Sequence, residues 1–236
     1  VSTRKIIWGF LREGLMKNSI NVYIKVEDGG KIPQYASRHA AGCDLYATED
    51  MAVRPGETKI MPLKFSMAID EDMEAQIRPR SGLSLKTHLR LPNSPGTVDS
   101  DYRDMVGVIL QNTYNIANLP YQIAQDPQLL LTLRREYKEV KLAEYLSSCK
   151  GLGETPGAAA GEASAIRTGN KDLAVLRQVI YIDSLGNPFG TIYIKKGERI
   201  AQMILSEYKR ANFIPHDDPR SIGEDRGGGF GHTGKG

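Results

Sequence analysis

The sequence predicts a mainly β protein, a jelly roll or sandwich carrying one inserted segment, and three observations lead there. Short apolar or alternating runs recur over residues 21–26, 42–47, 58–63, 65–70, 74–79 and 105–113. Gly, Pro, Asp and Asn punctuate them, as at Asp28-Gly29-Gly30, Arg54-Pro55-Gly56 and Asn93-Ser94-Pro95-Gly96. Runs of this length between regular turn signals are what sandwiches and barrels are built from. Helical spacing, the third observation, begins only near residue 126, after that series ends.

Taken in order, the chain opens with Ile6-Ile7-Trp8-Gly9-Phe10-Leu11 flanked by Arg4, Lys5 and Arg12. The patch is shorter than a signal-peptide core and no small-residue cleavage site follows it. Met16 then leads into Asn21-Val22-Tyr23-Ile24-Lys25-Val26, which reads as a natural start and a first strand. Residues 1–20 are therefore expected to be an N-terminal extension or the product of an upstream start, with a short docking helix as the alternative. The β body is expected to span 21–115 and 189–236. Between its halves, 116–188 reads as an insertion.

Within the insertion, Asp126-Pro127 pairs an acidic cap with a proline suited to the first turn of a helix. Leu130, Leu133, Tyr137 and Val140 follow at steps of three and four, which predicts one amphipathic helix from 126 to about 147. Arg135 and Glu139 would pair one turn apart on its solvent side. From Gly151 to Asn170, fourteen of twenty residues are Gly, Ala, Ser, Thr or Pro, too little apolar bulk to fold, so a flexible loop is expected. Val179-Ile180-Tyr181-Ile182 and Thr191-Ile192-Tyr193-Ile194 flank a turn at Leu185-Gly186-Asn187-Pro188 and read as a hairpin. One more strand at 199–205 precedes a glycine-dominated tail.

Composition narrows the functional classes. With 31 basic and 28 acidic residues the net charge is +3, too balanced to argue for nucleic acid. Cys43 and Cys149 lie far apart and form no metal pattern, which fits a reducing, intracellular setting. The four histidines are scattered as well. No run approaches the ~18 apolar residues a membrane span requires.

Five segments carry chemistry: Ala41-Gly42-Cys43-Asp44-Leu45, Pro79-Arg80-Ser81-Gly82-Leu83-Ser84, Gly96-Thr97-Val98-Asp99-Ser100-Asp101-Tyr102, Lys196-Gly197-Glu198-Arg199-Ile200-Ala201-Gln202 and Arg226-Gly227-Gly228-Gly229-Phe230-Gly231-His232-Thr233-Gly234. A site for a densely anionic ligand needs cations and N–H donors. Arg80-Ser81-Gly82 offers a guanidinium fork, a hydroxyl and a bare backbone that phosphate can approach. The third segment puts a carboxylate and a ring three residues apart beside a Pro-Gly step, in what reads as a β-hairpin.

In this order the segments closely resemble the five motifs of the homotrimeric dUTPases, which hydrolyse dUTP to dUMP and pyrophosphate. The resemblance covers 21–113 and 189–236. It implies a jelly-roll fold and a homotrimer with shared sites. Asp99 would be the base that activates water, and Asp44 would hold Mg²⁺ largely through its water shell. Arg80, Ser81, Gly82 and Gln202 would bind phosphate. Tyr102 would lie beneath the deoxyribose and exclude a 2′-hydroxyl. Main-chain groups near Gly96, Thr97, Val98 and Gly107, with Asn93 close by, would read uracil. The tail would close over the nucleotide through Arg226, Gly229 and Phe230.

Three features depart from the family pattern. One residue fewer separates the Arg226-Gly227 pair from Gly-Phe-Gly, which touches the Arg226 contact with the γ-phosphate. Asp104-Met105 replaces the usual glycine after Tyr102-Arg103. The insertion is the third; some phage dUTPases that resemble this chain carry inserts here that contact other proteins, so a protein partner is an expected role for it. Two competing readings follow. A dCTP deaminase shares the fold but needs a glutamate where Ile109 stands. A nucleotide-switched regulatory module would act through the insertion instead.

Overall fold

The structure, a computed structural model, describes residues 19–149 and 177–225. The N-terminal apolar patch, the Gly/Ala-rich loop and the glycine tail lie outside the described residues. Among the described residues fourteen strands, all paired antiparallel, form the framework: β1 Tyr23–Val26, β2 Gln34–Tyr35, β3 Cys43–Tyr46, β4 Met51–Val53, β5 Thr58–Pro62, β6 Phe65–Ala68, β7 Met73–Arg78, β8 Leu89–Arg90, β9 Gly96–Val98, β10 Gly107–Asn112, β11 Lys138–Lys141, β12 Val179–Ile182, β13 Ile192–Ile194 and β14 Arg199–Glu207. The helices are α1 Ser81–Lys86, α2 Leu119–Gln125, α3 Pro127–Glu136 and α4 Leu142–Cys149.

The largest sheet runs β2-β3-β14-β7-β9, and a smaller one runs β5-β10-β8. Pairs β1-β6 and β13-β4 complete the body, which is a β jelly roll. Alternation makes these strands two-faced. In β7, Met73, Ala75 and Ile77 are buried while Glu74, Gln76 and Arg78 point outward; Val108, Leu110 and Asn112 do the same in β10. The inward sets interdigitate around Leu45, Met61, Phe65, Leu89, Ile200 and Met203. Apolar burial of this kind contributes roughly 25 cal/mol per Å² and dominates the stabilisation.

Two sequence expectations about the segment after residue 115 are corrected. The single helix over 126–147 is instead α3, then strand β11, then α4. The Asp126 carboxylate caps α3 by accepting from the Gln128 amide at 3.1 Å, but the helix stops at Glu136. From Tyr137 the chain extends to pair with β12, Lys138 opposite Ile182. Glu139 therefore sits 3.5 Å from Arg134, and Arg135 pairs with Glu136. Nor do the 179–182 and 191–194 runs form a hairpin: β12 pairs with β11, whereas β13 pairs with β4, Ile192 opposite Val53.

The segment between β10 and β13 is tied to the body by rings and by one buried amide. His88, Tyr114, Phe189 and Tyr137 contact edge to face in succession, with centroids 5.2, 5.7 and 5.3 Å apart. Gly190 adopts φ +89°, and a Cβ there would overlap the Tyr114 ring, so only glycine fits. Asn112, fully buried, donates through Nδ2 to the Val53 and Gly190 carbonyls at 2.9 and 2.8 Å, and its Oδ1 accepts from the Tyr114 amide at 2.9 Å. Among the described residues no helix is long and apolar enough to cross a membrane.

Candidate functional site

Most of the sequence-predicted residues line two separate clefts. A cavity of 410 Å³ is lined by Asp44, Arg80, Ser81, Gly82 and Gln202, together with Ala36, Ala40, Ala41, Gly42 and Ile204. Strand pairing explains the gathering. Gln202 on β14 lies between Asp44 on β3 and Arg78 on β7, and the chain leaving β7 carries Pro79 and Arg80 into α1. Gln202 Nε2 donates to the Pro79 carbonyl at 2.9 Å, fixing the turn from which the arginine projects.

Asp44 is only 8% exposed and both of its oxygens are engaged. Oδ1 accepts from Arg80 Nε at 2.9 Å, and Oδ2 from Arg199 Nη1 at 3.1 Å. Two guanidiniums around one carboxylate leave this cluster a positive charge in excess, which suits an anionic ligand. Among the described residues no three His, Cys, Asp or Glu side chains gather as a metal site. The donor set therefore does not make an inner-sphere cage from one chain. A lone carboxylate is enough only for a hydrated ion that takes its remaining ligands from phosphate.

The second cavity, 230 Å³, is lined by Thr97, Val98, Asp99, Tyr102, Val106 and Gly107. It is not enclosed by a laddered hairpin, as the sequence led us to expect. Strand β9 pairs with β7, and β10 with β5 and β8, so residues 99–106 form a corner passing between two sheets. The corner is held by the Asp99 carbonyl accepting from the Tyr102 amide at 3.1 Å, and by Val106 exchanging backbone bonds with Leu63 and Phe65 at 2.9 Å. Tyr102 is 40% exposed and its hydroxyl donates to the Met105 carbonyl at 3.0 Å, which fixes the ring at the rim. Asn93 reaches the same region: a Cβ on Gly96 would come within 2.9 Å of its Nδ2, so glycine admits the amide there. Asp99 is exposed and makes no side-chain hydrogen bond or ion pair with the other described residues.

Arg226, Gly229 and Phe230 lie outside the described residues. The sequence alone gives no role to Arg199, nor to Ala36 and Ala40 in the 410 Å³ cleft. Arg199 stood inside a quoted motif, and the consecutive apolar pair Ile200-Ala201 beside it was the available signal.

An all-antiparallel jelly roll that presents a guanidinium-lined cleft and, apart from it, an open strand corner defines a β protein suited to an anionic ligand. Comparison with known proteins makes this specific. The dUTPase family model matches residues 28–135. The deoxyuridine 5′-triphosphate nucleotidohydrolase of Chlamydia pneumoniae is 44% identical over 144 residues, 58% of this chain and 98% of the relative. That of Rickettsia felis is 34% identical over 134 residues, 53% of this chain and 88% of the relative. The match to the Clostridium tetani enzyme is 45% identical over 87 residues and spans 60% of that relative's length. Among solved structures, the Staphylococcus bacteriophage 80alpha dUTPase aligns with TM-score 0.59 at 18% identity, covering 91% of this chain and 99% of that one. The dUTPase from phage phi11 of S. aureus aligns at 0.53 and 16%, covering 86% and 99%. At such identities the structural likeness speaks for the fold alone. The chain belongs to the dUTPase family.

Proposed function

We propose that the chain is a dUTP diphosphatase that hydrolyses dUTP to dUMP and diphosphate, supplying dUMP and keeping uracil out of DNA. The observation that carries this reading is the contrast between two aspartates. Asp44 is buried and paired with two arginines, whereas Asp99 stands exposed, with no side-chain partner among the described residues, at the rim of the 230 Å³ cleft. A free carboxylate can accept the proton of a water whose oxygen attacks the α-phosphorus. The bond to the bridging oxygen then breaks and diphosphate leaves with the electron pair. Phosphoryl transfer asks the protein mainly for positioning and charge neutralisation. The 410 Å³ cleft supplies the charge through Arg80, with Ser81, Gly82 and Gln202 as further phosphate contacts.

Tyr102 lies under the deoxyribose, leaving no room for a 2′-hydroxyl. Gly96, Thr97, Val98 and Gly107 present main-chain groups to uracil beside Asn93, and Arg226, Gly229 and Phe230 close the site. Asp44 would hold Mg²⁺ through its water shell, and the ion would supply charge neutralisation at the phosphates. The two clefts are separate on one chain, which supports sites assembled between subunits, and we read the assembly as a homotrimer. The test is a panel of deoxynucleoside triphosphates and UTP. Diphosphate release from dUTP with little from the others is the expected result, and equal turnover of dCTP, dTTP or UTP would reject the reading.

A further inference from the structure

Arg199 precedes Gln202 by three residues, and in a regular strand residues three apart point to opposite faces. Here Arg199 contacts Asp44, and Gln202 stands opposite Asp44 in the strand register. The register of β14 on β3 sets Arg199 opposite Tyr46, Ala201 opposite Leu45 and Gln202 opposite Asp44, so β14 carries one extra residue at Ile200. Ile200 and Ala201 are consecutive, and both are buried in the core. Alternation resumes at Gln202 in the opposite phase. A bulge of this kind re-aims the side chain beside it, and here it brings Arg199 Nη1 to 3.1 Å from Asp44 Oδ2.

Three interactions then close a ring. Arg80 Nε donates to Asp44 Oδ1 at 2.9 Å, Arg80 Nη1 donates to the Arg199 carbonyl at 3.1 Å, and Arg199 Nη1 donates to Asp44 Oδ2 at 3.1 Å. Main chain and side chain of Arg199 thus both bear on Arg80, the first directly and the second through the shared carboxylate. Freeing either guanidinium would leave a buried charge short of a partner, so the ring resists distortion. Arg80 commits Nε and Nη1 to it, while Nη2 takes no partner among the described residues. Arg199 itself does not line the cleft.

We propose that Arg199 is a positioning residue: the bulge at Ile200 lets it lock Asp44 and, through Asp44, hold the Arg80 guanidinium ready for phosphate. This rests on the dUTP reading for its physiological ligand, though not for its test. Arg199→Gln and Arg199→Lys are made in the full chain, each alone and combined with Arg80→Ala. Two quantities are read: KM and kcat for dUTP, and calorimetric affinity for inorganic tripolyphosphate without divalent metal. Arg199→Gln raises KM and weakens tripolyphosphate about tenfold with little change in kcat, and Arg199→Lys recovers most of the loss. In the Arg80→Ala background the same change costs less than about twofold, because the group it positions is gone. Equal losses in both backgrounds overturn the proposal, as does a lower Tm with unchanged affinity, or a wild type that does not bind tripolyphosphate. A wild type that binds tripolyphosphate but leaves dUTP intact removes the reaction, and the affinity series then decides the role of Arg199 alone.

Discussion

Asp44 and Asp99 carry the same functional group, and their surroundings give them different work. Replacing Asp99 with Asn keeps its shape and removes its basicity, so turnover falls by about 10²–10⁴-fold. Affinity for a non-hydrolysable dUTP analogue stays near wild type. Steady-state kinetics beside calorimetry reads both, and a retained kcat would remove the base role. Cys43 offers a different check. Burial pushes its thiol above the usual value, and its Sγ donates to the Met203 carbonyl at 3.4 Å. It should therefore react with a thiol reagent at pH 8 only as fast as the protein unfolds. At this scale the sequence was informative wherever a residue type carried its own chemistry, as Arg80, Asp99 and Tyr102 do. For Arg199 it offered only the consecutive apolar pair Ile200-Ala201, because that side chain's surroundings depend on the register of a strand formed with residues far away.

Among the elements, the strands of the body were legible because burial on one face imposes alternation, and β7 and β10 show it almost without exception. The stretch 137–141 misled for a physical reason. Leu130, Leu133, Tyr137 and Val140 satisfy a helical period, yet Tyr and Val are also strand formers, and the partner strand 179–182 settled the choice. Likewise the corner at 99–106 looked like a hairpin because nothing local reveals that β9 and β10 belong to different sheets. Leu133 is fully buried on α3, so Leu133→Ala should destabilise by about 2–5 kcal/mol, measured by denaturant unfolding. Alkaline pH should loosen the same region. Burial raises the Tyr114 and Tyr137 hydroxyls above their ordinary value of 10.0. Their contribution is intact below pH 10 and is lost as pH rises towards the folded-state values, since ionisation is easier in the unfolded chain. Ultraviolet phenolate titration with circular dichroism would follow it, and ionisation at the free-tyrosine value would contradict it.

For the whole molecule, the clefts make the strongest claim. If each site draws its base from one subunit and its arginine from another, Asp99→Asn and Arg80→Ala chains mixed and refolded together should regain activity that neither has alone. No recovery in assemblies shown by mass to contain both chains would place each site within one subunit. The motif order carried the family before any geometry was known, because five short segments in sequence constrain more than any one of them. The resemblance implied that the third segment and the phosphate-binding ones serve a site from different subunits; the shape of each cleft was not readable, since cavities depend on how sheets close.

Asn112 stands where the chain leaves the jelly roll and grips Gly190, where it returns. With both points pinned by one amide, lengthening the chain between them costs the fold little, because closure entropy grows only slowly with length. The doorway is thereby a socket: cargo of another size or shape could be exchanged there, by evolution or by a protein engineer, while the barrel behind it keeps its form.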